Sequence, residues 1–143
     1  MRKYAITILR ITLGLVFLWF GALKLFGVSP VAHLVGQTYF FINLDLFMIV
    51  LGVWEVVIGT GLILNKGLKF IIPLLWLQMA GTFFSAVLTP RLFFDNGNIL
   101  ILSMNGEFLL KNLVLVAASI VIYIEALTPG QPPAVDEGEN ISP

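Results

Sequence analysis

Four apolar runs govern what this chain can fold into. They cover residues 4–26, 46–64, 68–88 and 108–127, and each is long enough to cross about 30 Å of hydrocarbon at ~1.5 Å of helical rise per residue. Asn65-Lys66-Gly67 separates the second run from the third. So short a connection forces an antiparallel hairpin. The reading is all-α, an integral membrane four-helix antiparallel bundle. Composition agrees: 59% of residues are hydrophobic and 11% charged, against roughly 25% charged in a soluble domain.

The chain divides into a four-span domain at 1–128 and a Pro-, Gly- and acid-containing tail at 129–143, expected to be disordered. Between the first two spans, Leu34 to Leu44 is aromatic and apolar, suited to the interface or to an extension of the second helix. Between the last two, Pro90, Asp95-Asn96-Gly97-Asn98 and Asn105-Gly106 are turn signals. They flank residues 99–102, a short strand or a surface-dipping loop. The first run follows Arg2 and Lys3, but it exceeds the h-region of a signal peptide and has no clear cleavage site, so it is expected to stay as a helix. Arg2, Lys3, Lys66 and Lys69 fall on one side of the spans, and Lys24, Arg91 and Lys111 on the other. That bias predicts both termini in the cytoplasm and the two longer loops outside.

Small and polar residues recur at steps of four and three, which keeps a set on one helical face. The first span carries Arg10, Gly14, Phe17, Gly21 and Lys24; the second, Met48, Gly52, Glu55, Gly59 and Leu62. The third carries Leu74, Gln78, Gly81, Ser85 and Leu88; the fourth, Glu107, Lys111, Val114, Ala118, Val121 and Glu125. Small residues let membrane helices approach closely, and charges on the same face avoid lipid. The expected result is a polar interior containing Arg10, Lys24, Glu55, Gln78, Glu107 and Lys111.

Glu55 is the residue most in need of a reason. A carboxylate at the bilayer centre costs about 2.5–3.5 kcal/mol on insertion scales. It is either a functional group or a structural one that fixes register, and it should be paired or protonated. Gln78 lies at similar depth, and Arg10 has the reach to approach Glu55 or to snorkel to the cytoplasm. Glu107 and Lys111 form an i,i+4 pair in the favourable order. Lys24 and Lys111 suit either interfacial anchoring or an anionic headgroup, quinone or small acid. His33 reads as a loop residue; it lacks a second strong ligand, so no metal site is expected. Trp19, Trp54 and Trp76 read as packing or interface residues.

Several chemistries have no residues to carry them. With no cysteine and one histidine, the chain offers no disulfide framework, thiolate metal site, cysteine-ligated cluster or bis-histidine haem. Its formal net charge of zero gives no footprint for nucleic acid. No nucleophile elbow, phosphate loop or dinucleotide fingerprint occurs, and no catalytic residue is assigned. A redox role would need a borrowed or diffusible cofactor such as a quinone.

The string Leu9-Arg10 … Gly14 … Gly21-Ala22-Leu23-Lys24 … Gly27 resembles the first helix of the DoxX-like membrane proteins. Gly52-Val53-Trp54-Glu55 … Gly59 is similar to their second-helix pattern, a glutamate four residues before a glycine. Leu88-Thr89-Pro90, Leu102-Ser103 … Gly106 and Lys111-Asn112 resemble the branch that includes the inner-membrane protein of the bacterial reactive-chlorine resistance system. The resemblance spans about residues 8–125. It implies a four-helix protein of the bacterial cytoplasmic (inner) membrane, associated with redox or oxidative-stress systems, and points to Arg10, Lys24, Glu55 and Lys111. The functional expectation is an accessory membrane subunit that works with a redox partner protein, as a monomer or homo-oligomer, and holds a quinone-like or small ligand. A small-molecule carrier gated by Glu55 and a scaffold recruiting a soluble partner are the alternatives.

Overall fold

A computed structural model describes residues 1–94 and 103–128. The elements in this part are helical: α1 (Arg2–Leu25), α2 (Ala32–Thr38), α3 (Leu44–Leu64), α4 (Leu68–Leu88) and α5 (Met104–Leu127), with a 3-10 turn at Pro90–Leu92. Helices α1, α3, α4 and α5 are long and apolar enough to cross a membrane. The expectations for residues 99–102 and for the tail at 129–143 fall outside the described residues.

Local sequence fixes the helix ends. Gly27 follows α1 with φ +70°, and the amides of Gly27 and Val28 bond back to the carbonyls of Lys24 and Leu23, a Schellman stop. Asn65 does the same for α3 with φ +56°: its amide reaches Leu62 and that of Lys66 reaches Gly61. Asn43 and Ser103 cap the starts of α3 and α5, each side chain accepting from a backbone amide at 3.3 Å. Between α1 and α3 the aromatic run resolves into the seven residues of α2 and a turn, rather than an extension of α3.

Helices α1 and α3 form the closest pairing. Gly14 faces Gly59, and Gly21 faces Gly52, so the two helices run antiparallel in register. A Cβ on Gly59 would sit 2.7 Å from the Gly14 carbonyl and 2.6 Å from the Leu18 amide; one on Gly21 would sit 2.8 Å from the Gly52 carbonyl. Only glycine permits this backbone approach, the small-residue logic of membrane helix contacts. Further contacts join α3 to α4, α4 to α5, and α5 back to α1.

The chain has two distinct ends. The first, here the turn end, gathers the start of α1, the 65–67 turn and the end of α5, where Arg2 bonds Glu125 at 2.8 Å. Near it lies the close-packed core, with Ile58, Leu62, Ile72, Leu75 and Ile122 almost wholly buried. The opposite, loop end carries α2 and the start of α5. Outward faces are apolar along all four long helices: Trp19, Leu46, Phe70 and Val114 are each more than half exposed. A surface of that kind is one that lipid would cover.

Faces expected for α1 and α3 are the ones the structure buries, including Arg10, Phe17, Lys24, Met48, Glu55 and Leu62. The expected α5 face is not. Its buried positions are Gly106, Asn112, Ser119 and Ile122, while Glu107, Lys111, Val114 and Val121 are exposed. In α4 the expected Ser85 is buried, but Ile72, Leu75 and Met79 take the core and Gly81 is exposed.

Candidate functional site

Lys24 of α1, Glu55 of α3 and Gln78 of α4 converge halfway through the structure. The Lys24 ammonium lies 2.6 Å from Glu55 Oε2, and the two side chains are only 6% and 8% exposed. Gln78 donates from Nε2 to the other carboxylate oxygen, Oε1. Both oxygens of the carboxylate are thereby engaged, one by a charge and one by an amide. The Phe20 ring also faces Lys24, with its centroid 6.0 Å from Nζ, within reach of a cation–π attraction.

Helix direction explains why Lys24 meets Glu55 and Arg10 does not. Each Cα–Cβ bond tilts toward the start of its own helix. In an antiparallel pair, Lys24 on the last turn of α1 therefore leans toward the middle, while Glu55 leans toward the loop end. The two converge. Arg10 leans toward the turn end, away from Glu55. The sequence expectation that Arg10 would approach Glu55 or snorkel to water is corrected accordingly. Arg10 is buried (9% exposed), and its Nη1 donates to the carbonyls of Leu62 and, at 2.9 Å, Ile63. Those carbonyls belong to the last turn of α3, where helical partners run out and the dipole is negative. Arg10 is thus a cap supplied by a neighbouring helix.

Glu107 and Lys111, expected in the interior, are corrected as well. Their side chains are 63% and 77% exposed, and they approach each other only at 4.0 Å. They stand one step around α5 from its buried face. Asn112 occupies the interior instead and is 4% exposed. Sequence spacing missed it because the charged pair outweighed a neutral amide when the α5 face was chosen. Ser119, also buried, accepts from the indole of Trp76 at 2.8 Å and ties α4 to α5. The Trp54 indole bonds the Leu74 carbonyl at 3.2 Å, tying α3 to α4.

Above the three polar groups, toward the loop end, lies a cavity of about 300 Å³. Its walls come from α1, α3, α4 and α5, and its roof from Val31 and from α2 through Leu34 and Val35. Lys24, Glu55, Gln78 and Asn112 contribute its charged and amide groups, and Phe20, Phe47, Trp54 and Phe108 are among its aromatic walls. Tyr39 holds the roof in place: its hydroxyl donates to the Gly81 carbonyl at 3.2 Å and accepts from Ser85 at 3.2 Å. Thr38 and Thr89 are joined nearby at 3.1 Å. A mainly apolar pocket with a few converging polar groups is the usual form of a small-molecule site, and this one is at the small end of the range.

No family model, curated protein or solved structure matches this chain.

Proposed function

We propose that this is a multi-pass membrane protein whose four long helices form an antiparallel bundle with a ligand site in its outer half. The observation that carries this reading is the cavity under α2, which ends on the Lys24–Glu55–Gln78 cluster. A charge pair at the bottom of an aromatic pocket orients the polar head of a small, largely apolar molecule. The aromatic walls suit a quinone-like ring. The resemblance to DoxX-like proteins supports the wider setting: an accessory subunit of a redox or oxidative-stress system in the bacterial cytoplasmic membrane, with both termini inside. In that setting the protein holds a diffusible cofactor for a partner rather than performing the chemistry alone. Holding is favoured over passage because Ile58, Leu62, Ile72, Leu75 and Ile122 fill the space between the cavity and the turn end.

A short-chain quinone titrated into the protein in lipid nanodiscs tests this. Trp54 lines the cavity, so with Trp19 and Trp76 replaced by Phe its fluorescence should be quenched saturably. Thr82→Phe, which fills the cavity from α4, should leave only the linear quenching of a quinone dissolved in lipid. Linear quenching in both proteins would rule the site out.

A further inference from the structure

The turn end carries a second pocket, of about 730 Å³, that shares no residue with the cavity at Glu55. It lies between the start of α1, the 65–67 turn with the start of α4, and the end of α5. Three cations line it: Lys3, Arg10 and Lys69. The acidic residue in its wall, Glu125, already holds Arg2 at 2.8 Å. None of the three lining cations pairs with a carboxylate among the described residues.

Arg10 sets the chemistry of the pocket. It is nine-tenths buried, and a charge so placed calls for compensation. Its Nη1 donates to the Leu62 and Ile63 carbonyls, while its Nε and Nη2 have no acceptor among the described residues. Those two nitrogens are not sealed in the protein, for the sealed and unpaired side-chain atoms among the described residues are Ser29 Oγ and Gln78 Oε1. They carry the parallel N–H bonds along one edge of the guanidinium, a fork that matches two oxygens of an oxyanion. A second set of donors lies alongside. Helix α4 starts after Gly67 with no side-chain cap and no acid in its first turn. The amides of Phe70 and Ile71 return to the Gly67 carbonyl. Those of Leu68 and Lys69 have no acceptor among the described residues, and they stand at the positive end of the helix dipole. Lys3 and Lys69 are exposed, so they stand at the mouth of the pocket, and Ile6, Phe70 and Ile122 give it apolar wall.

Taking the four long helices as membrane spans, we propose that this pocket is an anion site for a phosphate group, supplied by a phospholipid of net negative charge. The Arg10 fork holds the two non-bridging oxygens, and their remaining lone pairs face the lysines and the first amides of α4. The site sits at the last turn of α3, the level of the carbonyls that Arg10 caps, where hydrocarbon gives way to headgroups. Ile6, Phe70 and Ile122 then meet the glycerol and the first methylenes of the acyl chains. A choline headgroup carries the same phosphate but sets its own cation among Lys3 and Lys69, so like charge disfavours it. Basic pockets between membrane helices take anionic headgroups on this principle.

Native mass spectrometry of the full chain in a nonionic detergent tests this, with dioleoyl phosphatidylglycerol, dioleoyl phosphatidylcholine and inorganic phosphate as probes. The first phosphatidylglycerol should bind at least about tenfold more tightly than the first phosphatidylcholine, as two lysines beside a headgroup imply. Millimolar inorganic phosphate should not displace it. In the double variant Lys3→Gln with Lys69→Gln, both at exposed positions, the preference should fall to within about threefold. Lys66→Gln removes a cation from the same turn but not from the pocket wall, and should leave the preference unchanged. Arg10→Lys keeps a cation for the α3 carbonyls without the fork, and should weaken phosphatidylglycerol about tenfold. Equal binding of the two lipids by the wild-type protein would overturn the inference, and so would a preference undiminished in the double lysine variant. Displacement of the lipid by millimolar phosphate would overturn the phospholipid as the source and leave the phosphate site standing.

Discussion

Removing Lys24 alone should harm this protein most, and removing the charge of Glu55 alone, or both charges together, should harm it much less. In Lys24→Met, the Glu55 carboxylate keeps only the Gln78 amide in a position where its side chain is 8% exposed. Breaking a buried ion pair from one side costs about 3–5 kcal/mol, mostly for the charge left behind. At about 2–4 °C per kcal/mol for a chain of this size, the melting temperature in detergent should fall by roughly 10 °C. Glu55→Gln keeps shape and hydrogen bonding. The amide oxygen placed there can still accept from the Lys24 ammonium. That variant should lose only about 1–2 kcal/mol of stability. Lys24→Met with Glu55→Met leaves no charge behind and should fall within about 2 kcal/mol of the wild type, on either side. The single variant Glu55→Met closes the cycle, and thermal melts of the five proteins, repeated with denaturant titration, then give the coupling energy directly. Costs that simply add in the double variant, or a Lys24→Met protein as stable as the wild type, would refute the picture of a tightly coupled buried pair.

Other predictions concern the framework. Gly59→Ala drives a Cβ against the backbone of α1 and should cost about 1–3 kcal/mol, whereas Gly81→Ala, with nothing within 4 Å of the new carbon, should be neutral or stabilising by up to ~1 kcal/mol; melts of the two single variants compare them. Arg10→Met strips a donor from the Leu62 and Ile63 carbonyls and should cost about 1–3 kcal/mol, seen as faster hydrogen exchange over residues 61–66 while residues 104–112 are unchanged. In cells, cysteines placed at His33 and Asn96 should react with an impermeant reagent added outside, and one at Lys66 should not; labelling at Lys66 alone would invert the topology.

The long helices were legible because their lengths and apolarity leave no alternative in lipid. The α1 and α3 faces were legible because glycines spaced seven apart marked them twice: Gly14 with Gly21, and Gly52 with Gly59. Elsewhere the sequence misled for identifiable reasons. On α5 the charged Glu107 and Lys111 looked like interior groups, yet they lie in its first turns, where water at the membrane surface would solvate them, and the uncharged Asn112 and Ser119 take the interior. The pairing of Glu55 with Lys24 was hidden because depth was judged from backbone position. Lysine spans several ångströms, and in antiparallel helices the tilt of side chains toward each helix start decides who meets whom. The seven-residue α2 gave too short a pattern to separate helix from interface loop, and so the roof of the cavity could not be foreseen.

The α1–α3 pairing also bears on biogenesis. If the spans enter the membrane in order, Lys24 arrives before Glu55 exists to neutralise it. An α1 that slid into bulk lipid early would carry a bare ammonium on its last turn and expose Gly14 and Gly21 unpacked. The stable course is for α1 to wait at the insertion machinery or at the surface until α3 emerges, and for the two to enter lipid as one electrically neutral hairpin-like unit. On this account residues 1–64 are the smallest stretch that can leave the translocon intact. Nascent chains halted before Glu55 should remain cross-linkable to the translocon through α1, and chains extended past residue 64 with Glu55 present should release it. Early release of α1 regardless of Glu55 would disprove the ordering.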